Sequence, residues 1–288
     1  MQRLEQASRN VILLLFLIKT TVDAFMPVFA LIALVAYSVS LALIIPGLLQ
    51  KNSGWRRMAI LSAVIALISH AFALESRIIP GDGSVQNLSV LNVGSLVSLM
   101  ICKVMTIVAS KNRGWLLLPI VYAFALINLA LATFMPNEFI THLEATPGML
   151  VHIGLSLFAY ATLIIAALYA MQLAWIDYQL KNKKLAFNHE MPPLMVIERK
   201  MFHITQVGVV LLTLTLCTGL FYMKNLFSVE NIDKAVLSII AWFVYIVLLW
   251  GHYHEGWRGR RVVWFNVAGA GILTLAYFGS RFIQQFAG

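Results

Sequence analysis

Charged residues are scarce in this sequence: of 288 residues, 11% are charged and 60% are hydrophobic. Soluble globular domains carry about 25% charged residues, so the composition excludes an ordinary soluble enzyme or binding domain. The charges cluster between apolar runs of about 20 residues, which is the length that a helix needs to cross a bilayer. Lipid leaves only helices or closed barrels able to span, and these runs are too long for barrel strands.

Cysteine and the usual catalytic motifs are also rare or missing. Cys102 and Cys217 are the only two cysteines, and both fall inside predicted spans at different depths, so we expect no disulfide between them. Acidic residues are nearly absent from the spans, which argues against a proton pump built on carboxylate relays. The sequence has no P-loop, dinucleotide fingerprint, HExxH motif or nucleophile elbow, so we expect no enzymatic activity.

The apolar runs predict an all-α, polytopic membrane helix bundle of about eight transmembrane helices. We expect a single transmembrane domain over residues 26–288. The predicted spans are Met26–Leu49, Met58–Leu74, Leu88–Val108, Leu116–Phe134, Gly148–Trp175, His203–Met223, Ala235–Trp250 and Val262–Ile283.

Lysine and arginine predict the orientation of the bundle. Loops that follow the odd-numbered spans hold 13 of these residues, whereas the alternate loops and the C-terminal segment hold 4. Positive residues stay on the cytoplasmic side, so both ends of the bundle should face outward. Six of the seven tryptophans lie at the cytoplasmic ends of spans, as interface anchors do. The net charge of +9 therefore reflects orientation, and we expect no nucleic-acid partner.

Residues 1–25 do not fit this scheme. Val11–Ile18 is apolar but too short to span, and the basic residues around it would lie outside, against the charge rule. The segment also has no small-residue cleavage site after a proper apolar core, which makes it a poor signal peptide. Two interpretations stay open: an upstream extension of a protein that starts at Met26, or an amphipathic N-terminal arm on the membrane.

Two histidines lie at the same predicted depth in the membrane. His70 is four residues before the outer end of span two, and His152 is four residues after the outer end of span five. At 1.5 Å per residue, both lie about 6 Å below the outer boundary. Two such imidazoles could ligate one metal centre, and haem iron takes axial histidine ligands. The alternative is two unrelated histidines, each bonded to a backbone carbonyl or to serine.

A run dense in aromatic and basic residues extends from Trp250 to Arg261 at the predicted cytoplasmic face. It includes His252 and His254. This run could bind an anionic head group or a haem propionate. It is equally explained as a charged turn that tryptophans anchor at the interface.

Several of these segments resemble the cytochrome c assembly family. The stretch Pro147–Ala161 resembles a helix start in which a histidine precedes small residues and a final Ser/Ala-Tyr-Ala. Arg199–Gly208, continuing to Thr218-Gly219, resembles the next helix, and the turn Gly256–Arg261 also has a counterpart. Asn87–Met100 is loosely similar to the family's third-helix entry. The similarity covers most of the chain from Met26 onward, within a branch of bacterial inner-membrane proteins.

The resemblance implies a haem-binding or haem-handling protein of the bacterial inner (cytoplasmic) membrane. His152 corresponds to the family's outward histidine, and His252 or His254 corresponds loosely to a histidine on the cytoplasmic side. His70 is not part of the family's pattern. We infer from its depth alone that it replaces a missing axial ligand, with haem as the cofactor.

Two departures from the family keep other functions open. The family's external tryptophan-rich loop should lie between spans six and seven, where Lys224–Lys234 has no tryptophan. The second outer histidine is missing near Tyr277. The chain could therefore be a permease-like or accessory subunit of an inner-membrane transport system. It could also be a scaffold or regulator that binds another inner-membrane protein. The lipid bilayer is a partner in every case.

Overall fold

Helices make up nearly all of the part of the chain that the structure describes. This computed structural model describes residues 26–49, 53–79, 86–111, 115–135, 140–141, 147–182, 193–222 and 232–279. The eight α-helices of these described ranges are α1 Met26–Leu49, α2 Ser53–Ile78, α3 Val90–Ser110, α4 Leu118–Phe134, α5 Pro147–Lys181, α6 Leu194–Tyr222, α7 Ile232–His254 and α8 Arg260–Thr274. The N-terminal segment 1–25, with its two interpretations, lies outside the described residues.

Short elements extend or link these helices. A 3-10 turn, Trp115–Leu117, leads into α4, and a π-helical turn, Leu275–Gly279, continues α8. Two-residue strands β1, Gln86–Asn87, and β2, Ile140–Thr141, pair antiparallel, with Asn87 opposite Ile140. With these extensions, the described part contains eight helices long and apolar enough to cross a membrane, so the prediction of an all-α membrane bundle is confirmed.

Several helices extend beyond the spans that hydropathy predicts, and three of them show it most clearly. Helix α2 begins at Ser53 and ends at Ile78, helix α5 continues to Lys181, and helix α6 begins at Leu194. Hydropathy marks only the lipid-facing length, whereas backbone hydrogen bonds carry a helix on into the polar region. In the last turn of α5, for example, Lys181 Nζ lies 2.6 Å from Asp177 Oδ2, an i,i+4 ion pair that suits an exposed helix end.

The chain divides into two compact units, Met1–His142 and Leu143–Gly288. The first contains α1–α4 and the second contains α5–α8. The single transmembrane domain expected over residues 26–288 stays a prediction.

In the first unit, small residues bring α1 and α2 together. Ala33 of α1 and Ala63 of α2 are fully buried. Serine hydroxyls join the two backbones: Ser40 Oγ donates to the carbonyl of Ala59 at 2.9 Å, and Ser62 Oγ donates to that of Ala36 at 2.7 Å. Membrane helices associate in this way because lipid provides no hydrophobic driving force between them. Small residues let the backbones approach closely, and hydroxyl groups form hydrogen bonds from one helix to the other.

In the second unit, glycines allow close helix contacts and a tight turn. A Cβ at Gly208 of α6 would overlap the side chain of Leu163 on α5. The turn between α7 and α8 contains Gly256 and Gly259, both with φ of 66°, a left-handed conformation that glycine adopts without steric cost. Asn266 Nδ2 then donates to Thr205 Oγ1 at 2.9 Å, which joins α8 to α6.

Candidate functional site

His152 lies one turn into α5 and is half-buried. Its Nδ1 is 3.1 Å from Thr218 Oγ1 on α6. The single hydroxyl proton of Thr218 has carbonyl acceptors in its own helix, at Leu214 (2.9 Å) and Thr215 (3.0 Å). When that proton goes to either carbonyl, the threonine oxygen accepts from His152, and Nδ1 then carries the imidazole proton. The Nε2 lone pair is then the one that can ligate a metal, which is the usual arrangement of a metal-binding histidine.

His70 has a different environment in the first unit. It is fully buried on α2, with Tyr37 Oη 3.2 Å from Nδ1 and Ser95 Oγ 2.8 Å from Nε2. Both ring nitrogens therefore have hydroxyl partners, one on α1 and one on α3, and an iron ligand would have to give up one of these bonds. His70 and His152 belong to different units, so their pairing as axial ligands stays a prediction.

A buried polar cluster continues from His70 towards α4. The rings of Tyr37 and Tyr122 lie 5.8 Å apart, and Tyr122 Oη is 2.8 Å from Thr106 Oγ1, which itself donates to the carbonyl of Cys102 at 2.7 Å. Sequence reasoning missed this cluster. The available signal was a set of hydroxyl side chains inside otherwise apolar spans.

A second cluster that sequence reasoning missed lies on the same face of α5 as His152. Ser156 and Tyr160 follow His152 at intervals of four residues. Tyr277, in the π-helical turn, donates from Oη to the carbonyl of Ser156 at 3.0 Å and stacks on Tyr160 with ring centroids 5.0 Å apart. Tyr160 Oη is also 3.0 Å from Thr274 Oγ1. The π-helical turn also points to a functional region, because π-helical irregularities in helices are frequent at functional sites.

His252 and His254 both lie in the last turn of α7 but do not converge. His252 Nδ1 is 3.1 Å from the carbonyl oxygen of Trp257, and its ring stacks on Phe202 with centroids 3.4 Å apart. Nδ1 must donate in that bond, so His252 also has an Nε2 lone pair that can ligate. His254 is exposed, with its ring 5.9 Å from that of Trp250. His252 is therefore the stronger ligand candidate of the two.

A pocket of about 270 Å³ lies beside His252 in the second unit. Tyr253, which lines the pocket, accepts a hydrogen bond at its Oη from Gln206 Nε2 at 2.6 Å. The pocket is lined by Met195, Glu198, Arg199, Phe202, His203, His252, Tyr253 and Arg258.

The arrangement of the histidines suits a metal that is already held in a cofactor, and not a bare metal ion. Within the described ranges, no three histidine, cysteine, aspartate or glutamate side chains come together in a way that could hold a metal ion. Both cysteines are free thiols, Cys102 buried and Cys217 exposed. Haem iron has four porphyrin nitrogens and needs only one or two axial ligands, so a single half-buried imidazole such as His152 fits it.

Comparison with known proteins identifies the relatives of the chain. A model of the family described as "Cytochrome C assembly protein" matches residues 58–287. The "Inner membrane protein YpjD" of Escherichia coli (strain K12) is 89% identical over 260 residues, which is 90% of this chain and 99% of that protein. The protein of the same name in Escherichia coli O157:H7 has the same identity and coverage.

A more distant relative is an "Uncharacterized 28.8 kDa protein in nifR3-like 5'region" of Azospirillum brasilense. It is 27% identical over 187 residues, which is 63% of this chain and 69% of that protein. No solved structure matches the chain significantly. Together with the eight helices able to span, the similarity to the Escherichia coli proteins makes this chain a multi-pass inner-membrane protein.

Proposed function

The chain belongs to the cytochrome c assembly family, and from this membership we propose that it binds haem within the membrane, with His152 as an axial ligand. The bond between His152 and Thr218 carries the proposal. We take Nδ1 as the donor in this bond, so Nε2 would bind iron without first losing a proton. Bound haem would supply a redox-active iron. The contribution of the chain is to hold and orient it, and we propose no catalytic step.

The clusters around His152 suit a large apolar ligand with polar edges. The side chain is only half-buried, which leaves room for a planar group beside α5. Tyr160, which is buried, stacks with Tyr277 beside the same face of the helix, and stacked aromatic rings give that region a fixed geometry.

Absorption spectroscopy of the detergent-purified protein, produced with ample haem, tests the proposal. We expect a Soret band that His152→Ala abolishes or weakens strongly. His203→Ala is the matched control, since His203 is an exposed histidine of the same unit and is not a candidate haem ligand. A Soret band unchanged by His152→Ala but lost in His252→Ala would move the ligand to α7 and overturn our assignment. A well-folded protein with no Soret band would overturn haem binding altogether.

The second candidate function is a permease-like or accessory subunit of an inner-membrane transport system. The observation that favours it is the segment Lys224–Lys234, which has no tryptophan where the family's haem-presenting loop is expected. A scaffold or regulator of another inner-membrane protein is the third candidate. A colourless, folded protein would favour these two, and its co-purification with a transport complex would separate them.

A further inference from the structure

We propose that the pocket between α6 and the α7–α8 turn binds a phosphate group, carried by the head group of an anionic membrane phospholipid. This inference is independent of haem binding. The ligand is recognised by the guanidinium groups of Arg199 and Arg258, which approach the pocket from α6 and from the turn, respectively. Arginine is the residue best suited to phosphate, because its planar fork donates two parallel hydrogen bonds.

Among the described residues, the two guanidinium groups of the pocket are only partly balanced by negative charge. Arg199 and Arg258 form no ion pair with any other residue in the described ranges. The pocket contains one carboxylate, Glu198, and its Oε1 is buried with no hydrogen-bond partner there. Two guanidinium groups against one carboxylate leave a net positive charge, to which the imidazole of His203 adds hydrogen-bonding capacity.

The level of the pocket in the membrane points to a lipid as the carrier of the phosphate. Trp250 and Trp264, at the facing ends of α7 and α8, are 52% and 62% exposed, as tryptophans at the bilayer interface are. Arg258 lies between them in sequence, in the turn that joins the two helices. The exposed Met195 and the buried Phe202 give the same pocket an apolar wall. A basic site for the phosphate and an apolar wall in the same pocket match a phospholipid at the level of the head groups.

Contacts within the α7–α8 turn hold Arg258 beside the pocket. The ring of His252 is held between Phe202 and the carbonyl of Trp257. A Cβ at Gly251 would overlap the indole of Trp257, so glycine lets the turn fold back against α7. Two backbone N–H groups, of Glu255 at 3.1 Å and Trp257 at 2.9 Å, donate to the carbonyl of Gly251 and close the end of the helix. Arg258 follows directly, so its position is fixed by an ordered turn.

Native mass spectrometry of the full-length protein, incubated with dioleoyl phosphatidylglycerol, tests the proposal. We expect one lipid to be retained, and diacylglycerol with the same acyl chains to bind much more weakly. Replacing both arginines by glutamine (Arg199→Gln with Arg258→Gln) should weaken retention roughly 10- to 30-fold, since each basic residue near the surface contributes about a fivefold effect. Glu198→Gln should strengthen it, because the opposing charge is removed and the shape is kept.

The matched control is Arg260→Gln with Arg261→Gln, which removes the same charge from residues that do not line the pocket. We expect this variant to retain the lipid within about threefold of the wild type. Equal losses in the two double variants would overturn the pocket in favour of a diffuse basic surface. Equal retention of diacylglycerol would overturn phosphate recognition. Displacement of the lipid by low-millimolar inorganic phosphate would overturn the lipid as the source.

Discussion

The hydroxyl of Thr218 on α6 lies within hydrogen-bond distance of His152 on α5, with Oγ1 3.1 Å from Nδ1. When the threonine proton goes to a carbonyl of its own helix, the imidazole donates from Nδ1. A partner of this kind on the second ring nitrogen is found for nearly all metal-ligating histidines.

Removing this hydroxyl should weaken haem binding without unfolding the protein. Thr218→Val keeps the shape of the side chain but leaves Nδ1 without its acceptor, and loss of such a partner typically costs 10- to 100-fold in metal affinity. We expect about that loss in a Soret titration of the purified protein. Thr133→Val is the control, since Thr133 donates to its own helix in the same way in the other unit. Equal affinity in the two variants would mean that Thr218 does not position the ligand.

His70 should contribute to stability rather than to haem binding. Its bonds to Tyr37 and Ser95 join three helices in a buried environment, so His70→Ala leaves a cavity and removes a hydrogen-bond partner from each of two buried hydroxyls. We expect a loss of roughly 2–4 kcal/mol in unfolding free energy, measured by chemical denaturation in detergent. Ser110→Ala, which alters an exposed hydroxyl, should change little. A variant of unchanged stability that has lost its Soret band would instead identify His70 as a ligand.

The apolar pattern predicted where the chain crosses the membrane but not which side chains meet. Helix α1 has the bounds that hydropathy predicted, because its apolar run ends where the polar loop begins. The site could be predicted only as a list of histidines. Tyr37 and His70 are 33 residues apart, and their contact depends on how each helix is rotated about its axis. Spans this uniformly apolar contain little information on that rotation, so the hydroxyl partners of the histidines could not be predicted.

The contact between α5 and α6 should tolerate no side chain at Gly208. Gly208→Ala places a methyl group into Leu163, and overpacking of this kind typically costs 1–3 kcal/mol. Gly154 and Gly271 are the matched controls, because a Cβ at either position meets nothing within 4 Å. Alanine there should be neutral or should stabilise by up to about 1 kcal/mol, the helix-propensity difference. Thermal unfolding in detergent measures all three, and equal melting temperatures would contradict the close approach.

The orientation predicted from the basic loops can be tested without purifying the protein. The turn with Arg258, Arg260 and Arg261 should face the cytoplasm, because positive residues near span ends are retained on that side. A fluorescent protein fused after Gly259 should therefore be bright, and alkaline phosphatase fused there inactive. The same reporters fused after Pro136, in a loop region that has no lysine or arginine from Met135 to Met149, should give the opposite result. A fluorescent fusion after Pro136 would reverse the predicted topology and would move the Arg199–Arg258 pocket to the outer leaflet.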